Sequence, residues 1–233
     1  MLASGGGSNL QAILDHLDRL GDRRGGDVVL VVSDRPGVGA LARAAARGIP
    51  AAVHRSERHP ERGGPPLDAL LDPAQIDLVV LAGYLKLVPP AVVARHRGRL
   101  LNVHPALLPA FGGPGMYGAH VHAAVLAAGV AVSGPTVHFV DEQFDRGPII
   151  AQWPVPVLPT DDVGSLARRV LAAEHALFPL AVDAVAHGRV CLDRDGRVVR
   201  PALLGDRACF SLHADPLDAP DVLAIGAGRL LGP

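Results

Sequence analysis

Cysteine is nearly absent from this chain. Only Cys191 and Cys209 occur in 233 residues, and they form no Cys-x-x-Cys pair. That excludes a disulfide framework and a thiolate zinc site, and it fits a protein of the reducing cytoplasm. An excess of either charge is lacking as well. The 22 Lys and Arg balance 23 Asp and Glu, with no basic run and no basic-aromatic stripe. A nucleic-acid partner is therefore not expected. Long apolar runs are missing too. "AAVLAAGVAV" at Ala123–Val132 is the nearest, and it is too short to span a bilayer and broken by Gly129. No charged-then-apolar leader is recognisable, so no membrane partner is expected. What remains is a chain 49% apolar and 19% charged, long enough to bury its own core without disulfides or metals.

What is present is an alternation. "VVLVVS" (Val28–Ser33), "AAV" (Ala51–Val53), "IDLVVLAGY" (Ile76–Tyr84) and "RLLNVHP" (Arg99–Pro105) are short and mostly apolar, as strands buried on both faces should be. Between them "GVGALARAAARGIP", "PLDALLDPA" and "PPAVVARHRG" read as helices, two of them closed by glycine. "TVHFV" and "IIAQWPVPV" read as two further strands. "DDVGSLARRVLAAEHALFPLAVDAVAHG" reads as one long amphipathic helix, and Asp195-Gly196 between apolar runs as a hairpin turn. The pattern predicts an α/β fold over residues 1–200: a doubly wound, mostly parallel, Rossmann-like sheet with flanking helices and a C-terminal β-hairpin. Beyond Pro201 the period fades, and residues 201–233 read as a tail of unknown role.

Ligands of open α/β sheets bind beyond the carboxyl ends of the strands. Three polar clusters are expected there. The first is "ASGGGSNLQAIL" (Ala3–Leu14), a glycine turn opening a helix, which is an anion site in the making. The second is "NVHP", where Asn102 and His104 stand two apart on a strand and so point to one side. The third is "DEQFDRGP", with Asp141, Glu142 and Asp145. A histidine moves protons near neutral pH, a carboxylate beside it favours its charged form, and an amide donates to an oxyanion. No Gly-x-Ser-x-Gly nucleophile is present. The set favours direct attack by a substrate group on a carbonyl. Taken singly, each residue has a plainer reading: His104 as a bonded strand end, Asn102 as a loop amide, Asp145 as a turn residue. His120 and His122 in "HVH" suggest a metal pair, but no third ligand stands at a diagnostic spacing, and no metal is expected. His138 reads as structural or as a support behind the site residues.

Taken together and in order, "ASGGGSNLQAIL", "LVVLAGYLKLV", "GRLLNVHPALLPAF", "GPTVHFVDEQFDRGPIIAQ" and "AAEHALFPLAV" resemble the phosphoribosylglycinamide formyltransferases, folate-dependent enzymes of purine synthesis. The N-x-H-P-x-L-L-P segment alone points to the wider formyltransferase superfamily, and "SGGGSNLQ" narrows it. The resemblance implies formyl transfer from 10-formyltetrahydrofolate, a co-substrate, to glycinamide ribonucleotide. It implies Asn102, His104 and Asp145 as the catalytic trio and Gly7, Ser8 and Asn9 as the loop for the substrate phosphate. It implies Leu171, Ala172, Ala173 and Glu174 as a second part of the ribonucleotide site. Folate contacts are implied for Leu85, Lys86, Leu87, Val88 and Asn102, and for the loop Asp141, Glu142, Gln143, Phe144 and Asp145. On this reading Asn102 and a protonated His104 stabilise the oxyanion, and Asp145 raises the His104 pKa. The implied partners are small molecules, and no oligomeric state is assigned.

The chain also departs from that pattern. Lys86 stands where many relatives carry arginine, and it lacks the planar fork. "FGGPGMYGAHVH" (Phe111–His122) is longer than the matching loop of some relatives. No arginine is assigned before the "DLVVLAG" strand, with Arg58 and Arg62 as nearby candidates. A formyltetrahydrofolate deformylase or an inactive paralogue keeping the fold are the alternatives; the phosphate loop speaks against the first and the intact trio against the second. A dinucleotide-dependent oxidoreductase would need Gly-x-Gly-x-x-Gly spacing, which "GGGSNL" lacks. Finally, a loop of this kind should follow a central strand of about five residues, yet only Met1, Leu2 and Ala3 can supply one. The expectation is that Met1 is a misassigned start, with several apolar residues ahead of it in the natural chain.

Overall fold

A computed structural model describes residues 1–54 and 64–199. Arg58, Arg62, Cys209 and the tail 201–233 lie outside the described residues. The elements run β1 (Leu2–Ala3), α1 (Ser8–Leu20), β2 (Val31–Ser33), α2 (Gly39–Ala46), β3 (Ala51–Val53), α3 (Leu67–Leu71), β4 (Val79–Leu81), α4 (Pro90–Arg95) and β5 (Leu100–His104). Then come α5 (Ala119–Ala127), β6 (Val132–Ser133), β7 (Thr136–Phe139), β8 (Ile149–Gln152), β9 (Val155–Pro156), α6 (Val163–Ala186), β10 (Cys191–Leu192) and β11 (Val198–Val199). Seven strands form one sheet in the order β3-β2-β1-β4-β5-β7-β8. The first five are parallel, while β7 and β8 run antiparallel. This is the mostly parallel, helix-flanked sheet that the alternation predicts, and β10 and β11 form the expected hairpin.

Alternate residues of the apolar strands feed opposite faces, which is why the runs need no polar positions. Leu100, Val79 and Leu81 join one core with Leu2, Val32, Leu67 and Val92. Leu101, Val103 and Val80 join the other, with Ile13, Phe139 and Phe178 from across the sheet. Strand order reverses between β1 and β4, so the chain leaves their carboxyl ends in diverging directions and opens a crevice there. The glycine turn comes directly after β1, and Leu85–Val88 after β4. Among the described residues no helix is long and apolar enough to cross a membrane.

Three expectations need correction. The strands Val28–Ser33 and Ile76–Tyr84 shrink to Val31–Ser33 and Val79–Leu81. Central β1, which lies between them, is only two residues long and cannot pair with the rest. A cavity of about 500 Å³ opens instead, lined in part by Met1, Val28, Val29, Leu30, Ile76 and Leu78. The Met1 amino group, half-buried at its edge, donates to the Leu30 carbonyl at 2.9 Å, and desolvation pushes its pKa down to about 5. Second, "IIAQWPVPV" divides at Trp153-Pro154 into β8 and β9, and β9 pairs with β6 in a small separate sheet. Third, the segment after Gly118 is helix α5, not loop. Its apolar residues circle the helix instead of lining one stripe, so no helical period shows in the sequence. On that helix His120 and His122 sit about 200° apart. His120 is exposed and His122 buried, so they cannot grip one ion together.

Burial also governs the histidines. His16, His96, His104, His122, His138 and His175 are all held below the ordinary histidine value, with desolvation as the leading cause in each.

Candidate active site

Gly7 caps α1 in the left-handed region at φ 74°, and a Cβ there would lie 2.7 Å from the Ala40 Cα. Glycine is the residue that satisfies both conditions. The first turn of α1 carries no side-chain cap and no acidic residue. Its free N–H groups and the helix dipole thus favour an anion. From that turn Asn9 Nδ2 donates to Glu174 Oε2 at 2.7 Å, across 165 residues. Asn9 Oδ1 accepts no hydrogen bond among the described residues. Glu174 is only 7% exposed, and burial pushes its carboxyl up to about 7 against the pull of the Asn9 bond. The glycine turn and the 171–174 stretch are thus brought together. Of that stretch, Ala173 is wholly buried in an apolar core; Glu174 supplies its one polar side chain.

α6 can place Glu174 because its start is fixed. Asp162 and Ser165 form a reciprocal capping box. Arg169 forks onto Asp161 at 2.6 and 2.9 Å, which holds that carboxyl well below its usual range.

The second cluster lies on β5. Asn102 and His104 share a face, and the antiparallel register sets His138 opposite Asn102. His138 Nδ1 is 2.7 Å from the Phe139 carbonyl, which can only accept, so the proton is on Nδ1. Its Nε2 then accepts from Asn102 Nδ2 at 3.1 Å. His104 Nε2 likewise donates to the Phe111 carbonyl at 2.8 Å. Asp145 stands between the two rings, Oδ2 at 3.5 Å from His104 Nδ1 and Oδ1 at 3.7 Å from His138 Nε2. Gly113 N–H donates to the same carboxylate at 2.9 Å. Asp145 sits at φ 55°, a conformation that costs a non-glycine residue about 1–3 kcal/mol and concentrates at functional sites.

Two expectations change here. Parallel strands would send Asp141–Asp145 out beside the other clusters. Because β7 is antiparallel, the chain after Phe139 leaves at the opposite end of β5, and Asp145 returns over the sheet to reach His104. Nor is His104 protonated at neutral pH in the free protein. Asp145 does pull its pKa up, as expected, but burial at 3% exposure outweighs that pull. The partnership of His138 with Asn102 escaped the sequence reading; the strand register was the signal that could have found it.

Next to Asp145, Gly147 leaves no room for a side chain, since a Cβ would fall 1.8 Å from the Phe139 carbonyl oxygen. Gly147→Ala is therefore expected to destabilise the fold by about 3 kcal/mol, read as a lowered urea midpoint with an unchanged slope.

The residues implied for folate divide by exposure. Leu85, Leu87 and Phe144 are 43%, 41% and 38% exposed, unusual for such large apolar side chains. Glu142 and Gln143 are exposed too, and Lys86 is half-buried. Val88 is buried in the core and offers backbone only. The segment is anchored by Ser4, whose hydroxyl accepts from Leu85 N–H at 3.0 Å and whose N–H donates to the Gly83 carbonyl at 3.1 Å. Among the described residues no three His, Cys, Asp or Glu gather as a metal would need.

Residues 1–182 match the family described as formyl transferase. The proteins named phosphoribosylglycinamide formyltransferase, chloroplastic, from Arabidopsis thaliana and Vigna unguiculata are 44% and 41% identical over 199 and 198 residues. Those alignments cover 84% of this chain, and 68% and 63% of the two plant proteins. The crystal structure of glycinamide ribonucleotide transformylase 1 from Symbiobacterium toebii is similar at a TM-score of 0.74 and 42% identity, covering 84% of this chain and 90% of that one.

Proposed function

The chain belongs to the formyl transferase family, among its phosphoribosylglycinamide formyltransferases, and from that premise we propose that it moves the formyl group of 10-formyltetrahydrofolate onto the amine of glycinamide ribonucleotide in purine biosynthesis. The observation that carries this reading is the Asn9–Glu174 pair at an uncapped helix start. It is a second polar site apart from the Asn102–His104–Asp145 cluster, suited to a phosphorylated acceptor. A hydrolase that releases formate has no use for it.

In this reading Gly7, Ser8 and Asn9 hold the ribonucleotide phosphate through backbone N–H groups, and Glu174 takes the ribose side. Leu85, Leu87 and Phe144 offer apolar cover to the folate. The substrate amine attacks the formyl carbon, so no enzyme nucleophile is needed. The carbonyl oxygen gains charge, and the donors for it are Asn102 Nδ2 and His104 Nε2–H, the latter once the Phe111 carbonyl yields its place. The proton lost by the amine passes to the Asp145–His104 pair and from there to N10 of the folate as the carbon–nitrogen bond breaks. The folate is a co-substrate, and the chemistry calls for no metal. We place the reaction in the cytoplasm; Cys191, an exposed free thiol, suits a reducing compartment.

The test is a paired assay. Purified protein with 10-formyltetrahydrofolate is expected to change the folate absorbance only when glycinamide ribonucleotide is added. Turnover that ignores the ribonucleotide would assign a deformylase instead. No turnover in either tube would mark an inactive paralogue.

A further inference from the structure

Arg43 takes no part in the chemistry above, yet it reaches the glycine turn from a separate helix. Three consecutive glycines give residues 5–7 more backbone freedom than any other sequence would. A turn that binds through N–H groups works only if those groups already point at the ligand. On the far side of Gly7 the backbone is fixed by α1; on the near side another support is required. That support comes from α2. Ala40 N–H donates to the Gly5 carbonyl at 3.1 Å. Arg43 Nε donates to the Gly6 carbonyl at 2.9 Å, and its Nη1 donates to Gln11 Oε1 in the first turns of α1 at 3.0 Å. One rigid guanidinium thus ties the turn to the helix that it opens. The approach is close: a Cβ on Gly39 would sit 2.8 Å from the Gly6 oxygen. Gln11 in turn donates to Asp15, which also receives Arg47, so the fork is held from behind.

We propose that Arg43 is a positioning residue for the phosphate loop. By holding the Gly6 carbonyl turned away, it keeps the next N–H groups along the chain aimed at the phosphate of the acceptor substrate. Left free, the peptide between Gly6 and Gly7 can rotate and present a carbonyl oxygen to the anion. The inference rests on the glycine turn being the phosphate site. It assigns the fork geometry, and not positive charge alone, as the working property. Lysine supplies the charge without the fork.

Calorimetry with inorganic phosphate, together with steady-state kinetics, separates these possibilities. In R43K we expect phosphate affinity to fall and the KM for glycinamide ribonucleotide to rise, each roughly tenfold, as for one lost charge-assisted hydrogen bond. The rise in that KM should exceed any change in kcat or in the folate KM. R43A should be no better than R43K. Restoration of affinity by lysine would overturn the positioning role in favour of simple attraction. Equal losses in kcat and in both KM values, with a lowered melting temperature, would overturn it in favour of general structure. Protein whose phosphate affinity falls in R43K but which ignores the ribonucleotide would sink the proposed substrate and leave the positioning role standing.

Discussion

Replacing His104 with alanine is expected to slow formyl transfer by about 10²-fold or more, while glycinamide ribonucleotide still binds. The separation comes from where the parts sit. The phosphate turn and Glu174 belong to α1 and α6, whereas His104 ends β5. Truncation at Cβ leaves Asp145 with its bond from Gly113 N–H, so the carboxylate keeps an anchor. Single-turnover rates and ribonucleotide calorimetry on the same variant check both halves, and near-normal turnover would break the mechanism. The pH profile adds a sign. The resting imidazole is neutral because burial lowers its pKa. If that neutral form is the working one, activity should hold through neutral pH and decline only in acid, below the ordinary histidine value of 6.5. A rate that instead climbs as pH drops through that range would show that the charged form acts.

The second large effect concerns the cavity beside β1. Fusing Lys-Val-Val-Val ahead of Met1 is expected to raise the melting temperature by about 10 °C. The existing register extrapolates directly: Leu2 lies opposite Val32 on one side and Leu81 on the other. A residue ahead of Met1 therefore faces Leu30 and Val79, and the next two face Val29 and Val28, Leu78 and Asp77. Each buried valine contributes about 2 kcal/mol and each ladder bond about 1. Ordering four residues costs about 1.5 kcal/mol apiece. The balance is about 4 kcal/mol, and each is worth about 2–4 °C in a protein of this size. A further gain comes from the terminus. The buried amine must shed its proton, which at pH 7, one unit below its ordinary 8.0, costs about 1.4 kcal/mol. An amide in its place has no proton to shed. Differential scanning calorimetry gives the shift, and hydrogen exchange should show new protection at residues 28–30 and 77–79. An unchanged melting temperature, or an equal rise with Gly-Ser-Gly-Ser, would defeat the idea that the cavity is a strand slot.

The strands were legible where a local pattern sufficed. "LLNVH" declared itself as β5 down to the shared face of Asn102 and His104, because strand periodicity is a property of neighbours in sequence. The glycine turn was legible as the opening of α1 for the same reason. What failed was long-range. Nothing in "TVHFV" says that it runs antiparallel, so neither the His138–Asn102 contact nor the return path of Asp145 could be read. α5 was hidden because apolar residues on every side leave no stripe. The protonation of His104 was misjudged because sequence shows the attracting carboxylate but not the depth of burial, and here depth wins. Arg43 was invisible because its partners, Gly6 and Gln11, are more than thirty positions away.

The six suppressed histidines give the molecule a latent charge. Folded, each takes up its proton only at lower pH than when unfolded, because burial disfavours the charged ring; unfolded, each is protonated once pH falls below about 6.5. The sign is fixed by linkage: their folded values are lowered, so the unfolded chain binds more protons, and stability present above that pH drains away as acid increases. Every ring adds to the steepness. The histidines thus favour the fold in neutral and mildly alkaline surroundings, against the opposite pull of Glu174, whose raised carboxyl favours it in mild acid, and through them acidification acts as a solvent stress spread across both faces of the sheet.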